Sequence, residues 1–222
     1  AVKSVTVAVG QTAEVTFTNT HYGRIEIRKT TNTGNQLGGW TFRVRDSEGN
    51  SYGDFTTDEN GYACTQNLPL GWYTVVELPT EDNYWLTELG FHDVTVKAGE
   101  TTVDTWLNKE QGLVWFYKKT NTGQSVEGWH ITVYSDEACT QKVGTLITNA
   151  DGKAGYYLDP GTYWAKETGD EHGRFEDEYW MVDETVHKFE IKPHEDISIT
   201  FTNVQYGKLK IAKTVDGDGP VE

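Results

Sequence analysis

An amine, a carboxylic acid and a carboxamide recur together in this 222-residue chain. Lys29 in GRIEIRKTTNTG, Glu77 in GWYTVVELP and Asn108 in VDTWLNKEQG return as Lys118 in GLVWFYKKTNTG, Glu167 in GTYWAKETG and Asn203 in ISITFTNVQYG. The steps are 118 − 29 = 89, 167 − 77 = 90 and 203 − 108 = 95 residues, so the triplet travels with an internal repeat. These three groups are the reagents of an amide bond between side chains.

Alternation along a strand decides where they point, because every second residue shares a face. Lys29 alternates with Ile27 and Ile25, and Lys118 with Phe116 and Val114. Glu77 follows Val75 and Tyr73, Glu167 follows Ala165 and Tyr163, Asn108 follows Trp106, and Asn203 follows Phe201 and Ile199. All six polar groups are therefore expected on inward, apolar faces. Burial of an ammonium and a carboxylate is costly, and desolvation favours the neutral amine and the neutral acid. A neutral amine is a nucleophile. With an Asn carboxamide beside it, the Glu is expected to hydrogen-bond the amide oxygen, polarise the carbonyl and carry a proton to the departing nitrogen. Holding the groups in contact makes the step intramolecular, and the product is a Lys Nζ to Asn Cγ isopeptide bond with release of ammonia. The bland alternative is a buried, hydrogen-bonded Lys–Glu pair with the Asn as a strand-end cap; two copies in register weigh toward the bond.

The elements that must position these groups are strands. Apolar residues fall in short alternating runs bounded by Gly, Asp and Asn, with no sustained helical period. Gly-Trp opens a second strand at Trp40 and at Trp129, turns are expected at Glu59-Asn60-Gly61 and Ala150-Asp151-Gly152, and further strands surround Tyr73 and Tyr163. The expected fold class is all-β: tandem immunoglobulin-like or prealbumin-like sandwiches in a head-to-tail array. Residues 21–109 and 110–204 read as complete domains. Residues 1–20 read as the closing strands of a preceding repeat, and 205–222 as the first strand of a following one, so the sequence reads as a window on a longer array. Asn19 and Lys213 are then half-sites whose partners lie outside it. The acidic stretch from Gly169 to Glu184 reads as a surface loop carrying the length difference between repeats.

A net charge of −15 argues against a nucleic-acid backbone as partner. No run approaches the roughly 18 apolar residues of a membrane span. Cys64 and Cys139 occupy non-equivalent repeat positions and read as free thiols. His21, His92, His130, His172, His187 and His194 have no ligand spacing and read as solvent-facing, so no metal or cofactor is expected. Trp40, Trp129, Tyr73 and Tyr163 read as core packing, while Trp85, Trp164 and Trp180 are the first candidates for a glycan or protein ligand.

Three spaced motifs resemble one family. G-x5-K at Gly23–Lys29 and Gly112–Lys118, G-x-Y-x3-E at Gly71–Glu77 and Gly161–Glu167, and an apolar-x-Asn ending at Asn108 and Asn203 are similar to the collagen-adhesin B-type (Cna-B) modules of Gram-positive surface adhesins and SpaA-type pilins. The resemblance implies a spontaneous Lys–Asn isopeptide bond joining first and last strands, with Glu77 and Glu167 as catalytic acids. One departure is Lys119 directly after Lys118; the face argument favours Lys118 as the reactive amine.

The expected role is structural. It is a stalk or shaft segment of an extracellular, wall-anchored adhesin or pilus-like fibre, whose partners are neighbouring repeats of the same protein and, through distal domains, a host or cell-surface ligand. The alternative is a ligand-binding adhesin module that uses loops and exposed aromatics. No Ser-His-Asp set, metal cluster or phosphate loop supports a turnover enzyme; the triplet acts once, on its own chain.

Overall fold

The structure, a computed structural model, describes residues 2–87 and 90–213. Its strands in chain order are β1 Tyr22–Thr31, β2 Thr41–Asp46, β3 Ser51–Thr56, β4 Tyr62–Cys64, β5 Leu68–Pro69, β6 Gly71–Glu77, β7 Trp85–Leu86, β8 His92–Val96, β9 Thr101–Glu110, β10 Gly112–Thr120, β11 Trp129–Tyr134, β12 Lys142–Ile147, β13 Lys153–Leu158, β14 Gly161–Asp170, β15 Trp180–Met181, β16 His187–Ile191 and β17 Asp196–Gln205. No helix occurs among the described residues. The chain divides into two compact units, Ala1–Glu81 with Thr87–Asn108, and Asp82–Leu86 with Lys109–Glu222.

In the first unit, β1 lies between β4 and β9, and β5 pairs with its N-terminal end; the second sheet runs β3-β2-β6-β8. The sequence alternates where it should: β1 buries Gly23, Ile25, Ile27, Lys29 and Thr31 and turns the residues between them outward. Phe42 of β2 and Trp106 of β9 meet across the sandwich with ring centroids 5.3 Å apart. In the second unit one sheet runs β13-β10-β17-β15 and the other β12-β11-β14-β16. Val114, Phe116, Ile131, Val133, Ala165, Phe189, Ile191 and Phe201 form one buried cluster contributed by both sheets. Burying such side chains contributes about 1.5–3 kcal/mol each, and supplies the apolar setting in which the polar triplet sits.

The first and last long strands of each repeat are neighbours and run parallel. β1 pairs with β9 so that Lys29 is opposite Trp106 and Thr31 opposite Asn108; β10 pairs with β17 so that Lys118 is opposite Phe201 and Thr120 opposite Asn203. A two-residue offset in a strand keeps Lys and Asn on one face. Close approach at the start of each pair explains the motif glycine. A Cβ on Gly23 would lie 2.3 Å from the Lys97 carbonyl oxygen, and on Gly112 2.4 Å from that of Lys192.

Several expectations need correction. Of residues 1–20, expected to hold closing strands, the described 2–20 form none and find no sheet partner among the described residues. Residues 206–213 likewise form no strand, and 214–222 lie outside the described residues. The segment Gly169–Glu184 is not loop throughout: Gly169 and Asp170 extend β14, and Trp180–Met181 pair with Gln205 and Val204 of β17. The second unit also takes in Asp82–Leu86, whose Trp85 and Leu86 pair with Glu110 and Lys109.

Candidate functional site

Each unit buries one lysine, one glutamate and one asparagine in a common pocket of side chains. Lys29 and Lys118 are 2% and 3% exposed, Asn108 and Asn203 are 0% exposed, and Glu77 and Glu167 are buried as well. Lys and Asn come from adjacent strands of one sheet, while the Glu reaches in from the C-terminal part of β6 or β14 in the opposite sheet. In the first unit Glu77 Oε1 lies 2.9 Å from Lys29 Nζ and accepts a 3.0 Å hydrogen bond from Asn108 Nδ2. One carboxyl oxygen thus touches both nitrogens. A carboxyl oxygen in contact with both can pass a proton from one nitrogen to the other. The expectation that the Glu would hydrogen-bond the amide oxygen is corrected here, since Asn108 turns its nitrogen toward Glu77.

In the second unit Lys118 Nζ donates to Glu167 Oε1 at 2.5 Å. Burial holds the Lys118 amine below the usual lysine range, against the attraction of Glu167. Burial likewise pushes the Glu167 carboxyl above the usual glutamate range, against Lys118 and Asn203. Both shifts favour the neutral amine and neutral acid, the protonation states that nucleophilic attack requires. Asn203 lies close enough to Glu167 to draw its pKa down, yet Asn203 Nδ2 makes no hydrogen bond of ordinary geometry; neither does the second oxygen, Oε2, of Glu77 or of Glu167. Lys119 is exposed, as the face argument requires.

An indole covers each amine. Lys29 Nζ lies 4.8 Å from the Trp40 ring centroid, and Lys118 Nζ 4.4 Å from that of Trp129. Each indole is fixed by its own N–H, which donates to the carbonyl oxygen of Gln36 at 2.7 Å in one unit and of Ser125 at 2.8 Å in the other. Gln36 and Ser125 adopt positive φ (49° and 57°), the bend that aims those carbonyls inward. Sequence reasoning assigned these tryptophans to packing and missed their place over the lysine. The signal available was their constant offset from it, 40 − 29 = 11 and 129 − 118 = 11.

A second support is the glycine of the turn before β4 or β13. The N–H of Lys29 donates to the Gly61 carbonyl, and that of Lys118 to the Gly152 carbonyl, both at 2.7 Å. Gly61 and Gly152 have φ of +75° and +70°, and an added Cβ would lie 2.4 Å and 2.8 Å from the lysine's own carbonyl oxygen. Only glycine fits there without displacing the lysine backbone. The motif tyrosines anchor the strand that carries the Glu: Tyr73 donates to the Pro69 carbonyl and Tyr163 to the Asp159 carbonyl, each at 2.9 Å.

The half-site residues Asn19 and Lys213 are exposed and lie in no strand. The tryptophans proposed as ligand contacts are largely engaged. Trp85 is buried, Trp180 packs edge-on to Trp129 at 5.5 Å, and Trp164 lies under Lys188 at 5.6 Å. The exposed indole is instead Trp72, at 66%. Not all histidines face solvent: His92 stacks on Trp106 at 3.9 Å and pairs with buried Asp104 at 2.6 Å, while Asp104 also accepts the Trp106 indole N–H at 2.8 Å. Among the described residues no group of His, Cys, Asp and Glu has metal-holding geometry. Cys64 and Cys139 are free thiols.

The SpaA prealbumin-like fold domain family matches residues 23–110 and 114–205, most of the chain, and the protein belongs to that family as two tandem copies. This selects the prealbumin-like alternative among the sandwich folds expected. Similar solved structures include the Bacillus anthracis TIE protein (25% identity, TM-score 0.42, 83% of this chain and 34% of that one) and a streptococcal ancillary pilin (20%, TM-score 0.40, 86% and 64%). A third is the shaft pilin SpaA of Lactobacillus rhamnosus GG (15%, TM-score 0.35, 85% and 100%). The chain spans about a third and under two thirds of the first two. Comparison with curated proteins gives no match.

Proposed function

We propose that the chain is a load-bearing segment of an extracellular surface fibre or adhesin stalk, and that each unit locks itself with one isopeptide bond, Lys29 to Asn108 and Lys118 to Asn203. The observation that carries this reading is the buried contact of Glu77 Oε1 with both Lys29 Nζ and Asn108 Nδ2. The neutral amine attacks the Asn Cγ, Glu77 or Glu167 moves its proton to the carboxamide nitrogen, and ammonia leaves as the new amide forms. Atoms balance with no cofactor and no second substrate, so the residues act once on their own chain and do not constitute a turnover enzyme.

Membership of a pilin-type domain family agrees with this role. The mechanics follow from topology. The bonds would enclose 108 − 29 − 1 = 78 and 203 − 118 − 1 = 84 residues, linking adjacent parallel strands at the beginning and end of each repeat. Tension entering by the first strand would leave by the last without loading the hydrogen bonds between the enclosed strands. Neighbouring repeats are the expected partners, with any distal ligand carried elsewhere in the parent protein. Intact-mass measurement tests the chemistry. The native chain should lack two ammonia molecules, and Glu77→Gln and Glu167→Gln should each restore one. A native mass equal to that of the unmodified sequence would overturn the reading.

A further inference from the structure

We propose that the backbone N–H of Asp183 is the oxyanion donor of the second unit, polarising the Asn203 carboxamide during attack by Lys118, and that the Asp183 carboxylate is the positioning group that holds it there. The inference rests on the isopeptide reading of that site and adds the group that reading lacks. In the first unit the glutamate meets the carboxamide at its nitrogen; in the second unit the Asn203 oxygen is met by a backbone N–H, a donor of the kind that can meet negative charge developing there.

The Asp183 N–H donates to Asn203 Oδ1 at 2.7 Å. An N–H can only donate, so this contact fixes which end of the carboxamide is oxygen and turns Nδ2 away from it. Asp183 follows β15, whose Trp180 and Met181 pair with the end of β17, so a short strand delivers the donor to the buried carbonyl. The carboxylate closes the arrangement. Its Oδ2 accepts the N–H of Thr202, the residue before Asn203, at 3.1 Å, and its Oδ1 accepts the N–H of Thr185 at 3.1 Å. Asp183 is therefore fixed to β17 on both sides of the reacting side chain. Burial would raise its pKa, but the hydrogen bonds from Thr185 and Thr202 outweigh burial and leave it below the usual aspartate range, so the clamp stays anionic.

In the tetrahedral intermediate the Lys118 nitrogen is bonded to Asn203 Cγ and the former carbonyl oxygen carries the charge. The 2.7 Å contact is preorganised and buried, where a donor aimed at developing charge is worth more than in water. When the C–N bond breaks, the oxygen returns to a carbonyl and the Asp183 N–H retains it as acceptor in the product amide. At the same 95-residue step the first repeat has Glu88, 183 − 88 = 95, which lies outside the described residues.

Two measurements on the full chain test this. In Lys118→Met, which cannot react, a scalar coupling across the hydrogen bond between the Asp183 amide nitrogen and the Asn203 Cγ should be seen by NMR; a folded second unit without it overturns the proposal. In cell-free synthesis with timed mass analysis, Asp183→Ala should slow ammonia loss from the second unit by about tenfold or more. Asp183→Asn, which keeps an acceptor for Thr202, should restore most of the rate, and the first unit should react at an unchanged rate in both. Reaction of Asp183→Ala at the native rate overturns the positioning role of the carboxylate, while the missing coupling in Lys118→Met overturns the donor itself. A native chain that keeps its Asn203 carboxamide overturns the isopeptide reading and the donor's role with it.

Discussion

Trp129 lies over the buried Lys118 amine at 4.4 Å and is itself held by an indole hydrogen bond to the Ser125 carbonyl. The Arg174 guanidinium also stands over this ring, 4.7 Å from its centroid. The fully buried indole therefore shields the reactive nitrogen from solvent. Trp129→Leu should admit water, return the lysine toward its usual pKa and slow bond formation by roughly tenfold for each pKa unit regained. Timed mass analysis of folded protein checks this; an unchanged rate would reduce the indole to packing alone.

Gly152 supports the same lysine from the backbone. Gly152→Ala places a Cβ 2.8 Å from the Lys118 carbonyl oxygen and 2.9 Å from Val126 Cβ, at φ +70°. The expected destabilisation is about 1–3 kcal/mol, with slower bond formation in the second unit and an unchanged rate in the first. Thermal unfolding and the mass time course measure the two effects separately.

The pH dependence of the second unit follows from the opposed shifts of its pair. The reactive form, neutral Lys118 with protonated Glu167, carries the same number of protons as the ion pair, so their ratio does not depend on pH. The rate should therefore be flat across the middle of the range. It should fall in acid, where both groups are protonated, and in base, where both are deprotonated and Glu167 has lost the acid proton; the two limits belong to the pair rather than to either residue. A rate that climbs steadily with pH would indicate an ordinary lysine.

Much of this site is legible in the sequence because its three groups sit on alternating strands, and alternation alone turns Lys29, Glu77 and Asn108 inward. What is not legible depends on contacts between distant segments. The parallel pairing of β1 with β9 brings Lys and Asn together, the orientation of the Asn108 carboxamide is set by Glu77, and Asp183 reaches Asn203 from a stretch that reads as acidic loop. His92 reads as solvent-facing in the sequence and is drawn onto Trp106 and Asp104 for a similar reason. Its neighbour Asp104 stands where the second repeat has Ile199, and the His92 ring and the Trp106 indole N–H together explain a carboxylate there.

Loss of a bond should lower stability and make the unit extensible. Glu167→Gln leaves the 84-residue loop open, which by the loop-closure argument used for disulfides removes about 4 kcal/mol from the second unit. Calorimetry should show its transition moving down while that of the first unit stays in place. Under force, the variant should release the enclosed segment that the native chain retains.

His194 provides a separate pH test within the second unit. It bonds Glu110 at 2.6 Å and Asp82 at 2.7 Å and lies against the rings of Tyr84 and Trp85. Burial lowers its pKa, but the two carboxylates outweigh burial and leave it raised, while His194 leaves Asp82 lowered against its own burial. A raised His pKa gives stabilisation that is complete below the unfolded value, near 6.5, and is lost as pH rises through the folded value. The lowered Asp82 contribution is present above the usual aspartate range and is lost as pH falls. Hydrogen-exchange protection at Leu86 should therefore be greatest between the usual aspartate range and about pH 6.5 and weaken as pH rises through the raised folded value of His194, and His194→Asn should abolish the dependence. Protection constant across that range would contradict it.

The most direct measurement is peptide mapping of the denatured, digested native chain by tandem mass spectrometry. The account predicts two branched peptides, one joining Lys29 to Asn108 and one joining Lys118 to Asn203, each lighter by one ammonia than its two linear parts. Recovery of linear peptides cleaved after unmodified Lys29 and Lys118 would contradict it.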